Sequence, residues 1–285
     1  MSAEGVMSSI EFQMSLLLFV ALAGYLLASR INQSAVIGEI LVGLIVGPSV
    51  LGLVTYTDFV SSIAHLGAII LLFVIGFEFN IREIFNIRYG FIAGFGVIIP
   101  WIGGYATALL FHFDTQGAFF VGTALTATSI AITANVLREI NQLQSKAAKA
   151  IIGAAVIDDV LSLLALAITE DVVSGSFTIE GIVLVFVKAI GFMVLFGLLG
   201  VSVISTFLMK LDHSRIAEKF PEFVFITAMM IAFLYAMVAD LVGLSGIVGA
   251  FLAGVSMESV GLRRSKDLKE GAEYLQIIFA SIFFV

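Results

Sequence analysis

The most constraining feature of this chain is a series of long apolar runs that continues from its beginning to its end. Of its 285 residues, 60% are apolar and 12% are charged, whereas soluble domains are about 45–50% apolar and about 25% charged. A bilayer core of about 30 Å takes about 20 apolar residues per helix, so this length predicts on the order of ten spans. The runs are too long for the alternating strands of a membrane barrel. The sequence therefore predicts an all-α, polytopic membrane helical bundle.

Polar connections divide the apolar runs into ten candidate helices, and no low-complexity linker separates them. The helices are predicted near residues 11–29, 35–52, 60–79, 89–111, 116–137, 146–169, 178–209, 221–241, 244–259 and 272–285. Because proline removes a backbone donor, we expect Pro48, with Gly47, to bend or end the second span.

The positions of the basic residues predict the orientation of these spans. Of the 14 Lys and Arg residues, all but Lys188 lie at or beside the odd-numbered connections. By the positive-inside rule these connections are cytoplasmic and the N-terminus is outside, which predicts a multi-pass protein of the cell membrane. This restriction of basic residues to odd-numbered connections also supports the count of ten spans, because a wrong count would have placed basic residues at even-numbered connections too.

Charge and composition exclude several classes of function. With 14 basic and 21 acidic residues the net charge is −7, which argues against a nucleic-acid partner, since such domains carry basic stripes. The absence of cysteine excludes disulfides, thiolate catalysis and cysteine-ligated metals, and three scattered histidines argue against a zinc site. We expect no enzyme and no cofactor, and the lipid bilayer as the main partner.

Two segments share a faint pattern. Residues 43–49 in the second span and residues 250–256 in the ninth place a small residue, a glycine and a serine at the same offsets. Such spacings also serve close helix contacts in general, so chance similarity is the alternative. An offset of seven spans would invert the second copy, which favours an architecture with inverted repeats.

Two adjacent carboxylates, Asp158 and Asp159, lie near the middle of the sixth span. A charge there costs about 2.5–3.5 kcal/mol on insertion scales, so a pair indicates function. The alternative is a structural pair neutralised by a basic residue from a distant helix, because none lies within a helical turn. Neighbouring carboxylates titrate as a coupled unit, and each can bind a proton or a hard cation. Competition between the two ligands is the chemistry of cation/proton exchange.

A second polar cluster lies in the fifth span. Thr126, Ser129 and Thr133 follow i, i+3, i+7 spacing and would share a helix face, with Thr128 and Asn135 beside them. These side chains offer uncharged oxygens to a cation. The alternative is ordinary helix packing, with hydroxyls bonded to the preceding turn. The segment contains no glycine or proline, so its residues alone do not require a broken helix.

Other polar residues in the apolar runs lie closer to span ends. Glu39 lies near the start of the second span, and Glu78 and Asp240 lie near the ends of the third and eighth. We expect structural or interfacial roles for them and for His65. Glu39 and Glu78 remain lower-ranked candidates for ion or proton binding.

Several of these motifs occur together, in order, over nearly the whole chain. They are the segments 38–52 (GEILVGLIVGPSVLG), 71–78 (LLFVIGFE), 126–129 (TATS), 158–159 (DD) and 243–254 (GLSGIVGAFLAG). The set resembles the monovalent cation/proton antiporter-2 family. Within that family, the pair of aspartates at 158 and 159 is similar to that of the bacterial electrogenic sodium/proton antiporters. Glutathione-gated potassium efflux proteins, which usually carry Gln-Asp at this point, are the alternative.

The resemblance implies a function and roles for the site residues. It implies secondary active exchange of a monovalent cation, sodium foremost, for more than one proton by alternating access. Asp159 would carry the transported cation and the proton, and Asp158 would pair with a lysine of a later helix. The segment from Thr126 to Thr133 would be the unwound part of a discontinuous fifth helix.

The resemblance also implies a domain organisation and a homodimer of thirteen-helix subunits. Residues 1–88 and 221–285 would belong to a scaffold and dimerisation domain, residues 89–170 would form half of the ion-transporting core, and 178–210 would be a linker helix. The chain stops within what would be the tenth helix, so we expect it to be C-terminally truncated. Such a fragment would be inactive by itself, and any C-terminal regulatory domain would be missing from it.

Overall fold

A computed structural model describes residues 9–79, 87–174, 179–220, 222–258 and 265–285, although not the side chains of 265–269. These parts of the chain form helices and no strand. The helices are α1 (Ile10–Arg30), α2 (Ala35–Val46), α3 (Asp58–Gly76), α4 (Ile87–Leu110), α5 (Thr115–Ala124), α6 (Ile130–Glu139), α7 (Lys146–Ser174), α8 (Ile179–Leu199), α9 (Ser205–Asp212), α10 (Arg215–Lys219), α11 (Glu222–Val242), α12 (Gly246–Glu258) and α13 (Ser265–Phe284).

Six helices among the described residues are long and apolar enough to cross a membrane: α1, α3, α4, α7, α11 and the continuous α8–α9 helix. A π-helical turn over Gly200–Ile204 joins α8 to α9. The apolar helices α2 and α12 are shorter. The prediction of an all-α membrane bundle is confirmed, and the count of ten spans stays a prediction.

Several predicted boundaries are wrong, among them the end of the sixth span, because α7 continues to Ser174 rather than ending at residue 169. The second span was predicted to run to residue 52, but α2 ends at Val46, because Gly47 leaves the helical conformation before Pro48. The third ends at Gly76 rather than at residue 79. The tenth begins at Ser265 rather than at residue 272, since its first two turns are polar and lay outside the apolar run.

Several helices begin at residues whose side chains accept a backbone hydrogen bond. Thr57 accepts from the Val60 N–H at 3.3 Å, and Asp114 accepts from the Gly117 N–H at 2.9 Å. Such caps satisfy donors that a helix leaves free in its first turn. The polar residues between the apolar runs therefore define where the helices start.

The helices pack in two groups. In the first, α1 packs on α2, α3 packs on α12 and α13, and α11 packs on α12. Small residues allow the closest approach, because a Cβ placed on Gly254 of α12 would lie 2.1 Å from the carbonyl oxygen of Phe73 in α3. In the second group, α4 packs on α5 and α7, and α5 and α6 each pack on α7.

The long α8–α9 helix contacts both groups. Its first part packs on α7, and its π-helical turn packs on α12. The Tyr235 hydroxyl of α11 donates to the carbonyl oxygen of Phe196 at 2.9 Å. Gly200 lies against the Ser256 side chain so closely that a Cβ there would be 1.9 Å from the Ser256 Oγ. This helix therefore connects the two packing groups.

Candidate functional site

The predicted fifth span is two helices rather than one. Residues 125–129 are not helical, so α5 ends at Ala124 and α6 begins at Ile130. The Thr126 hydroxyl donates to the Thr123 carbonyl oxygen at 2.7 Å, and the Ser129 hydroxyl caps α6 by accepting from the Ile132 N–H at 3.3 Å. Side-chain hydroxyls thus satisfy the backbone at the break without glycine or proline.

This break corrects two predictions. The unwound stretch is shorter than residues 126–133, since Thr133 lies within α6. Thr126, Ser129 and Thr133 do not share a helix face, because helical spacing does not hold across non-helical backbone. Thr126 is buried, whereas Thr128 and Ser129 are exposed.

Asp158 lies in the middle of α7, close to the break. It is 4% exposed, and neither carboxylate oxygen makes a hydrogen bond of good geometry within the described residues, although the Thr128 hydroxyl and backbone face it. The positive dipole end of α6, which begins at Ile130, lies two residues beyond Thr128 and favours an anion nearby. A buried carboxylate with so few partners requires a proton or a cation.

Asp159 faces a different environment. It is partly exposed and lines a cavity of about 440 Å³ whose walls are mostly apolar. The lining residues are Phe120, Thr123, Ala124, Ala127, Asp159, Ser162, Leu163, Leu166 and Ser245. Ser245 comes from the turn before α12, so the cavity lies where the two packing groups meet. Since adjacent helical residues point about 100° apart, one aspartate can be buried while the other faces the cavity.

Two residues of this cavity were not predicted from the sequence. Ser162 follows Asp159 by three residues and therefore lies on a neighbouring position of the same helix face. Ser245 lies in a turn, where its hydroxyl accepts from the Ile247 N–H at 3.3 Å. The i, i+3 spacing could have indicated Ser162, but nothing in the sequence around Ser245 places it beside Asp159.

Glu39 and Asn135 line another cavity, of about 360 Å³, between α2, α6 and α13. Glu39 is 3% exposed, and the Ser281 side chain is its hydrogen-bond partner. Of the structural and interfacial roles expected for Glu39, this burial beneath α13 favours the structural one. Asn135 donates to the Glu139 Oε1 at 3.2 Å.

Glu78 and Asp240 lie away from both cavities. Gln144 donates to the Glu78 carboxylate and, at 3.2 Å, to the Glu78 carbonyl oxygen. Asp240 accepts from the Gly246 N–H at 2.7 Å, and its Oδ2 lies 4.0 Å from the His65 Nε2. The structure therefore places Thr128 beside Asp158, whereas Glu39 lines a different cavity from Asp159 and Glu78 lines neither.

Comparison with known proteins shows the family to which the chain belongs. The model of the sodium/hydrogen exchanger transmembrane family matches residues 16–285. The chain belongs to this family. Within the sodium/hydrogen exchangers, it is 33% identical over 279 residues to a probable Na⁺/H⁺ antiporter, GerT of Bacillus cereus, covering 95% of this chain and 70% of that one. It is 30% identical over 283 residues to the Na⁺/H⁺–K⁺ antiporter GerN of Bacillus cereus, covering 96% and 70%.

The fold of this sodium/hydrogen exchanger is also found in a solved structure. The sodium proton antiporter MjNhaP1 of Methanocaldococcus jannaschii superimposes with a TM-score of 0.64 at 17% identity, covering 95% of this chain and 68% of that one. The family match over residues 16–285 and the 33% identity to GerT confirm the predicted membership of a cation/proton antiporter family, and the family is one of transporters rather than enzymes.

Proposed function

We propose that this chain exchanges a monovalent cation, sodium foremost, for protons across the cell membrane, with Asp159 as the shared binding site. The observation that carries the proposal is the position of Asp159. Its carboxylate lines a cavity at the meeting of the two packing groups, while Asp158, next to it, is buried with Thr128 as its facing polar group. A cation could therefore reach one carboxylate while the other adds negative charge.

A proton and a cation would compete for the Asp159 carboxylate. A carboxylate in a mostly apolar cavity is costly as a free anion, so either a proton or a cation should occupy it. Monovalent cations such as sodium bind oxygen ligands, and the hydroxyls around the break supply neutral oxygens close by. The cation and the proton exclude each other from Asp159. If the site opens first to one side of the membrane and then to the other, a proton gradient therefore drives the cation in the opposite direction.

The packing groups support a division into moving and fixed parts. We propose that α4 to α7 form half of the ion-transporting core and that α1 to α3 with α11 to α13 form the scaffold, which would hold a homodimer. The α8–α9 helix would link them. The distribution of basic residues supports an outside N-terminus and cytoplasmic odd-numbered connections.

Potassium is the second candidate cation. The name of the relative GerN includes potassium as well as sodium, and side-chain oxygens bind either ion. We propose sodium first because the adjacent aspartates Asp158 and Asp159 resemble the site of the electrogenic sodium/proton antiporters. A dependence of potassium efflux on glutathione would instead favour the gated potassium systems.

The test is transport by the complete protein, including any sequence beyond residue 285, in proteoliposomes with an imposed pH gradient. Addition of sodium should dissipate the gradient, and Asp159→Asn should abolish this response. Glu170→Gln is the matched control, because Glu170 is an exposed carboxylate on the same helix. Retention of sodium-driven proton flux in Asp159→Asn, or its equal loss in Glu170→Gln, would contradict the assignment. Potassium and glutathione are added in parallel to separate the second candidate.

A further inference from the structure

Ser162 has a buried hydroxyl with no hydrogen-bond partner among the residues that the structure describes. Helical serines and threonines usually donate to the carbonyl oxygen four residues earlier. Within the described residues, the hydroxyls of Ser62, Ser202, Thr206, Thr227 and Ser256 do so at 2.6–2.8 Å, and that of Ser205 does so as well. Ser162 lies within the continuous helix α7 and makes no such bond. Its hydroxyl is therefore not engaged in a hydrogen bond to any described residue.

The surroundings of Ser162 indicate what that ligand is. Ser162 lines the same cavity as Asp159, and both lie on one face of α7. Most other lining residues are apolar. Among the polar ones, Thr123 accepts from the Trp101 Nε1 at 3.1 Å and lies 2.6 Å from the Thr169 Oγ1, and the Ser245 hydroxyl accepts from the Ile247 N–H. Ser162 is the hydroxyl in this lining without a described partner.

We propose that the Ser162 hydroxyl is a ligand of the transported cation beside Asp159, and that it increases the affinity of the site for sodium. This inference rests on the proposed function of Asp159. A cation that enters a mostly apolar cavity loses water oxygens, and it must regain oxygens from the protein. A serine hydroxyl offers two lone pairs at a fixed position on the helix, whereas a proton on Asp159 needs no such ligand. Ser162 should therefore favour the cation over the proton.

The first measurement is the sodium dependence of proton flux in proteoliposomes. Ser162→Ala should raise the KM for sodium about ten-fold, which corresponds to about 1.4 kcal/mol, with little change in the maximal rate. Ser162→Thr keeps the hydroxyl and should keep the KM within about two-fold of the parent, a difference of about 0.4 kcal/mol. Ser202→Ala is the matched control, because the Ser202 hydroxyl is exposed and already donates to the Leu198 carbonyl oxygen. An unchanged KM in Ser162→Ala would overturn the proposal.

The second measurement is thermal unfolding of the purified full chain with and without sodium, which does not depend on transport. Since a buried hydroxyl without a partner destabilises the folded state, Ser162→Ala should unfold at the same or a higher temperature in sodium-free buffer. It should lose most of the increase in Tm that saturating sodium gives the parent. A lower Tm in sodium-free buffer, or failure to fold, would show that the hydroxyl is a structural partner and would overturn the proposal.

Asp159→Asn separates the failure of this inference from the failure of the proposed function. If Asp159→Asn abolishes the sodium effects on flux and on Tm while Ser162→Ala leaves them intact, only the role of Ser162 is wrong. If Asp159→Asn also leaves them intact, the proposed function itself is wrong. A rise in KM in both Ser162→Ala and Ser162→Thr would indicate packing rather than the hydroxyl and would also overturn the proposal.

Discussion

The hydroxyl oxygens of Thr123 and Thr169 lie 2.6 Å apart and join α5 to α7. Both residues are buried, and the Thr123 Oγ1 also accepts from the Trp101 Nε1 of α4 at 3.1 Å. These bonds connect three helices at the end of α5, immediately before the break. They therefore hold the broken helix in position against the helix that carries Asp158 and Asp159.

Removal of this link should destabilise the protein. Thr123→Val keeps the shape but leaves the Thr169 hydroxyl and the Trp101 N–H without a buried partner, which we expect to cost about 1–3 kcal/mol of unfolding free energy. The double variant Thr123→Val/Thr169→Val should cost less than the sum of the two single variants, because it removes both hydroxyls. The measurement is denaturant unfolding in detergent of the parent, the two single variants and the double variant. Additive costs would show that the two hydroxyls are not coupled.

The site residues that the sequence singled out are those whose burial is costly. Asp158 and Asp159 could be recognised because a membrane span has few reasons to retain charge. The break at 125–129 could not be derived from its own residues, because Thr126 and Ser129 stabilise it with side-chain hydrogen bonds rather than with glycine or proline. The family resemblance supplied that expectation, with limits that were too wide at Thr133.

Tertiary packing accounts for the other differences. The sequence position of Glu39 near a helix end left both a structural and an interfacial role open, and the structure shows that α13 covers the side chain, with Ser281 as its partner. The position of Ser245 depends on how the two packing groups meet. Contacts between residues more than 80 positions apart leave no local pattern, so the cavity around Asp159 could be described only from the structure.

The second aspartate should determine how much charge each transport cycle moves. If both carboxylates ionise, one bound cation leaves a charge of about −1 on the pair and two protons leave about 0, so such a cycle would be electrogenic. In Asp158→Asn only Asp159 carries a charge, and either one cation or one proton neutralises it. We therefore expect cation/proton exchange in Asp158→Asn to lose its dependence on membrane potential, which otherwise supplies about 2.3 kcal/mol per charge per 100 mV.

The measurement is the initial rate of sodium-driven proton flux in proteoliposomes clamped at different potentials with potassium and valinomycin. Asp158→Glu retains the charge and is the control, which should respond to potential like the parent. If Asp158→Asn responds to potential as strongly as the parent, Asp158 does not contribute to the transported charge.

Close contact between α3 and α12 should make Gly254 intolerant of a side chain. A Cβ on Gly254 would lie 2.1 Å from the Phe73 carbonyl oxygen and 2.9 Å from the Gly76 Cα, both of which are backbone atoms. We expect Gly254→Ala to destabilise the protein by about 1–3 kcal/mol. Gly94→Ala in α4 is the control, because a Cβ there would meet no described atom within 4 Å apart from its chain neighbours and the backbone of its own helix, and helix propensity should stabilise it by about 0.5–1 kcal/mol. Equal effects on unfolding would contradict the close packing.

Polar contacts at the end of α6 should hold the two packing groups in the described arrangement. Arg138 donates to the Gln276 Oε1, and its Nη2 lies 3.5 Å from the Glu273 Oε1 of α13. The Glu139 Oε2 accepts from the Ala35 N–H of α2 at 3.0 Å. If the core moves relative to the scaffold during transport, these contacts must break in each cycle. Removing these contacts should therefore change the equilibrium between the positions of core and scaffold more than it changes the free energy of unfolding.

We expect Arg138→Gln to lower the unfolding free energy by less than about 1 kcal/mol, since both charged side chains are about one-third exposed. The same energy can shift an equilibrium between two arrangements about five-fold. The chain has no cysteine, so spin labels at Ile140→Cys and Ile277→Cys report only the distance between the end of α6 and α13. Arg138→Gln should enrich longer distances, and Arg138→Glu/Glu273→Arg should restore the parent distribution by restoring the opposite charges. An unchanged distribution in Arg138→Gln would show that this contact does not hold the two groups together.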